Sequence, residues 1–82
     1  MAKMMIWKVH AVYDVLGISM HSVAVGPSEN IYTALGNAKS CFARNFPKLD
    51  TSTIFIDFVE ADGEASQRDL RKGWDLARVD EV

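Results

Sequence analysis

Little in this chain carries recognisable chemistry. Its 82 residues include one cysteine, two prolines and two histidines. A lone Cys41 excludes an internal disulfide framework, and its place in a helical pattern predicts a buried thiol in a reducing compartment. No GxSxG, phosphate-binding loop, paired CxxC or HExxH occurs, so none of the chemistries those motifs serve is signalled. Long apolar runs are also missing. The opening MAKMMIWK places only four apolar residues between Lys3 and Lys8, too few for a signal-peptide core or a membrane span. The expectation is a soluble, cytoplasmic protein with no membrane contact.

What is present is an ordinary globular composition. Hydrophobic residues make up 49% of the chain, enough to form a core, and the length suits one domain over residues 1–82. Residues Ile6 to Asp14 alternate, with Trp7, Val9, Ala11 and Tyr13 at odd positions and Lys8, His10 and Asp14 at even ones. That is the signature of a half-buried strand. Ile18 to Val25 reads as a second strand, and Gly17 marks the turn between them. Two registers compete. A three-residue loop, Val15-Leu16-Gly17, pairs Asp14 with Ile18 and Val9 with Val23. A two-residue loop, Leu16-Gly17, pairs Val9 with Ala24 and turns Val23 and Val25 to the other face. The first collects more apolar area on one side and is the preferred reading. It sends His10 and His21 to opposite faces.

A helix is predicted from about Glu29 to Asn45, with Ser28 as N-cap and Gly26-Pro27 ending the second strand. Ile31, Ala34, Leu35, Ala38, Cys41 and Phe42 form its apolar stripe. Phe46-Pro47 ends it. A third strand, Thr53 to Val59, places Ile54, Ile56 and Phe58 on one face and Phe55, Asp57 and Val59 on the other. Residues 65–82 fit either a short helix capped by Ser66 or two extended pieces around Lys72-Gly73, and the helix is preferred. The fold expected is α+β: an antiparallel hairpin, a helix and a third strand (ββαβ). One helix packs on a small sheet, and a short C-terminal helix or extended tail follows. The expected core joins Trp7, Val9, Val23, Val25, Leu35, Ala38, Phe42, Ile54, Ile56 and Phe58.

Charge is unevenly spread. Residues 1–49 carry five cations against two acids, and residues 50–82 nine acids against four cations. The acidic half repels phosphates and either suits a basic protein surface or is a solvated face that keeps a small protein soluble. Histidines on opposite faces cannot share a metal, and one thiol adds little, so no metal site and no cofactor are expected. Cys41 on an apolar helix face is not an activated nucleophile. With Asp57 and Glu60 read onto opposite faces, no carboxylate pair forms, and the chain reads as a non-enzyme.

Two functional readings follow. The first is a protein-binding module whose surface is the sheet face away from the helix, with Val12, Met20, Phe55, Asp57, Val59, Asp62 and Glu64. Exposed apolar side chains rimmed by charge mark such interfaces. Its partner is another protein, or a second copy in a homodimer. The alternative is nucleic-acid binding through Arg68, Arg71, Lys72 and Trp74, where basic groups hold a backbone and an aromatic stacks a base. Asp69 and Asp75 interrupt that cluster and disfavour it. In the order hairpin, helix, strand over residues 6–59 the chain resembles small phage-encoded proteins that bind and inhibit host enzymes. It is also similar in that order to the start of antitoxins with a partial RNase H fold. The first resemblance implies an inhibitor of a host protein or complex; neither assigns a site residue.

Overall fold

A computed structural model describes residues 3–82; Met1 and Ala2, at the head of the MAKMMIWK segment, lie outside the described residues. The elements run β1 (Met5–Val15), β2 (Ile18–Ser28), α1 (Ile31–Asn45), a 3-10 turn (Thr51–Thr53), β3 (Phe55–Glu64), α2 (Gln67–Lys72) and β4 (Asp75–Glu81). The four strands form one antiparallel sheet in the order β3-β1-β2-β4. The α+β class is as expected, but the order is ββαβαβ. The C-terminal segment supplies both candidate structures, a helix and then a strand on the free edge of β2.

The hairpin register is the one the sequence reading set aside. Val15 pairs with Ile18, Val9 with Ala24 and His10 with Val23. The turn is therefore Leu16-Gly17, with φ of 52° and 80°. Two successive positive φ values give a turn whose twist matches the strands. A leucine there is unfavourable, which hid this turn in the sequence. One face of β1 thus buries Val9, Ala11 and Tyr13, and β2 adds Ala24 and Ser22 beside them. Val23 and Val25 leave the expected core for the opposite face.

Gly26-Pro27 does not end β2. The strand continues to Ser28 opposite β1. Pro27 lies beyond Val25, where β4 stops pairing, and its carbonyl accepts the Trp74 indole N–H at 2.9 Å. The helix cap shifts as well. Ser28 is buried, and its hydroxyl donates to the Asn30 carbonyl. Asn30 is the N-cap, its Oδ1 accepting from the Thr33 N–H at 2.9 Å, which satisfies one free donor of the first turn. Glu29 falls outside the helix.

Ala34, Ala38, Cys41 and Phe42 of α1 are buried against Val9, Ala11, Tyr13 and Ala24. Small residues on the stripe let the helix lie close, and Phe42 stacks on Tyr13 with ring centres 5.0 Å apart. Leu35, Ile54 and Ile56 pack at the margin. The 46–54 connection closes one end through Phe46 and buried Leu49. Burial pushes the Tyr13 hydroxyl up from its ordinary value, its Ser22 hydrogen bond opposing that. Burial likewise raises the Cys41 thiol. Trp7 is half-buried and its indole N–H donates to the Ser28 carbonyl.

β3 is longer than expected and irregular. Its pairing with β1 shifts between His10 and Ala11, so Ile56 faces Ala11, Phe58 faces His10 and Asp57 is the extra residue. A β-bulge of this kind reverses the side-chain phase beyond it. Phe58 consequently turns away from the core, and Val59 turns into it. At the other end Ser66 caps α2 in a reciprocal box with Asp69. The same hydrogen bonds from Ser66 hold the Asp69 carboxyl below its ordinary value.

Candidate functional site

The sheet face turned away from α1 stays open. β1 contributes Lys8, His10 and Val12, β2 His21, Val23 and Val25, and β3 Phe55, Phe58 and Glu60, as alternation and register require. The two phenylalanines remain 65% and 53% exposed, so neither α2 nor β4 covers this face where β3 borders it. At one end of the face Ile6 and Val25 line a shallow pocket of about 200 Å³ with Asp69 and Lys72 of α2 and Asp75 of β4.

Of the residues assigned to this face from sequence, Val12, Phe55, Asp57 and Asp62 are on it. Val12 and Phe55 are directly opposite each other. Met20 and Val59 are corrections. Met20 pairs with Tyr13 in the observed register and packs on the core. Val59 pairs with Val9 past the bulge and does the same. Glu64 pairs with Met5, at the opposite end of β3 from Phe55, and lies outside the apolar patch.

His10 and His21 share this face, their ring centres 6.1 Å apart, because the two-residue turn puts even positions of β1 and odd positions of β2 on the same side. Each imidazole has its own carboxylate. His10 Nε2 is 3.9 Å from Glu60 Oε1, and His21 Nε2 is 3.8 Å from Asp57 Oδ2. Both separations exceed a hydrogen bond. His10 Nε2 is shielded from solvent and has no hydrogen-bond partner. Phe58 covers one side of that ring at 5.3 Å. The bulge brings Asp57 and Glu60 to one face, where straight alternation separates them.

Other charges here are paired locally, Lys8 with Asp62 at 3.4 Å and Arg78 with Asp80. Exposed pairs like these contribute little to stability, but they cancel each other's field. Lys8 is also directly opposite Glu60, so with neutral imidazoles Asp57, Glu60 and Asp62 share one lysine and the β3 side keeps a negative excess. The patch is thus apolar at Val12, Phe55 and Phe58 and negative beside it. A histidine–carboxylate pair is half of a general-base device. The neighbours of these two are Phe58, Val12 and Val23 rather than a nucleophile. Among the described residues, no group of three or more metal-ligating side chains is gathered.

The alternative nucleic-acid cluster is divided. Arg68, Arg71 and Lys72 are exposed along α2. Trp74 is not beside them in solvent, because its ring packs on Gly26 and the core and its N–H is bonded to Pro27. The ring that would stack a base is already used.

His10, Phe58 and Glu60 were missed as members of the face. The signal was the Leu16-Gly17 turn, which places His10 with His21 once its register is adopted. Compared with family models, curated proteins and solved structures, the chain matches none. No helix among the described residues is long and apolar enough to cross a membrane.

Proposed function

We propose that this chain is a non-catalytic protein-binding module that docks its open sheet face on a partner protein. The carrying observation is the exposure of Phe55 and Phe58 side by side with Val12, next to the acids Asp57, Glu60 and Asp62, which outnumber their one lysine, Lys8. Apolar centres rimmed by charge favour protein interfaces. The charge selects the occupant: a surface apolar at its centre and basic around it. A second copy of this chain is disfavoured, since it would bring acid against acid. Nucleic acid is disfavoured by the same sign.

The mode of action that fits is steric cover. A small protein holding a host enzyme or complex by such a face inhibits it without chemistry, and the order of the first elements resembles phage-type inhibitors that work so. The test is site-specific photo-crosslinking in the cell that makes the protein. A photoreactive phenylalanine analogue at position 55 captures a protein partner, and the same analogue at Tyr32, 82% exposed on α1, does not. Equal capture from both positions refutes the reading. A salt titration on DNA separates the nucleic-acid alternative, because phosphate binding falls steeply with salt.

A further inference from the structure

We infer that His10 and His21 make this docking face proton-sensitive, so that a basic partner held at neutral pH is released under mild acid. The inference rests on the proposed docking function and concerns its regulation. The chain has two histidines in all, and both stand on the sheet face that carries exposed Phe55 and Phe58. Histidine is the side chain whose charge ordinarily changes between about pH 5 and 8. Both of the chain's imidazoles are therefore gathered on this patch.

The geometry sets the sign. His10 is flanked by Lys8 on β1, Glu60 on β3 and His21 on β2. His21 is flanked by Asp57 on β3 and by Asp80, which is opposite it on β4 and paired to Arg78. Asp14 lies further along β1, hydrogen-bonded to Ser19. α2 brings Asp69 and Lys72 against Ile6 and Val25 at one end of the face, where Val25 is opposite Lys8. With neutral imidazoles, Asp57 and Glu60 are free to attract a partner's cations. Protonated imidazoles claim those carboxylates, and the 3.8 and 3.9 Å gaps close to charge-assisted hydrogen bonds. His10 Nε2, orphaned in the neutral form, then gains an acceptor. The net charge that recruits a basic partner disappears while the apolar centre stays.

The test uses the full chain and a synthetic peptide of alternating lysine and leucine as probe, followed by backbone and imidazole NMR shifts. At about pH 7.5 the peptide shifts Val12, Phe55 and Phe58, and its affinity falls about tenfold by about pH 5.5 as two exposed charge contacts are lost. In the H10Q/H21Q double variant the ratio between the two pH values drops close to one. An undiminished ratio in that variant, or a ratio near one in the parent with the shifts still on this face, overturns the inference and leaves the docking reading standing. Shifts confined to other surfaces, or no binding at either pH, overturn both. If H10Q/H21Q does not fold, D57N/E60Q replaces it, and the expected result is weak binding at both pH values. Strong, pH-dependent binding by D57N/E60Q also overturns the inference.

Discussion

The indole of Trp74 rests on the bare Cα of Gly26, and a methyl group added there would overlap the ring. Gly26→Ala should therefore destabilise the protein by about 1–3 kcal/mol, the usual cost of overpacking. Trp74→Ala leaves a void and costs about 3–5 kcal/mol at the upper end for a large aromatic. The double variant should be less unstable than the sum of the two, because removing the ring makes room for the methyl. Urea denaturation of all four proteins measures this coupling, and strict additivity would contradict the contact.

Leu16 holds φ of 52° in the hairpin turn and is 76% exposed. A left-handed leucine costs roughly 1–2 kcal/mol, and the side chain buries nothing in return. Leu16→Asn creates the Asn-Gly pair that this turn type favours. The expected outcome is a melting temperature several degrees higher. A lower one would mean that the hairpin turns in another way.

Tyr13 and Cys41 make the fold sensitive to alkali. Burial raises both from their ordinary values of 10.0 and 9.0. The protonated forms are favoured in the folded state, so stability is complete below those values. It declines as pH rises through and above them, because the unfolded chain releases its protons first. Tyr13→Phe should flatten part of that decline. At neutral pH it should cost about 1–3 kcal/mol, as buried Ser22 loses its 2.6 Å partner. Denaturant midpoints from neutral to about pH 11, spanning the tyrosine range, would show both effects.

Phe55→Asp should leave the fold and its circular dichroism unchanged, since the side chain is 65% exposed and a charge there stays in water. Partner capture should be lost. Phe42→Ala behaves in the opposite way. That ring is fully buried, and its loss costs about 3–5 kcal/mol, enough to threaten a small domain. Unfolding by Phe55→Asp would show that the sheet face is a second core.

How much of this was legible in the sequence follows from particular residues. The helix stripe of Ala34, Ala38, Cys41 and Phe42 repeats at its proper spacing, so it could be read directly. The hairpin was visible, but its register depended on a turn that leucine disfavours. Counting apolar area then chose wrongly and separated His10 from His21. The bulge at Asp57 has no marker in composition. It exchanges Phe58 and Val59 between faces, which placed one in the core and the other on the surface. Gly26-Pro27 looked like a stop because local chemistry says so. Trp74, 48 positions along the chain, packs on Gly26 and bonds the Pro27 carbonyl where β2 continues beside β1. The Ser66 cap was legible, and β4 was hidden by a charged, mostly exposed sequence that acquires its role only from β2.

The strand order has a consequence for how the chain assembles as it is made. The two central strands are neighbours in sequence, joined by a two-residue turn, and the helix that covers them comes next. A nascent chain holding β1, β2 and α1 already has the middle of its sheet and most of its buried residues, closed through short loops that form quickly. β3 and β4 then add to opposite flanks as separate, later events. Until each arrives, the hairpin has an open rim on that side, and these are the moments at which a foreign strand can take its place.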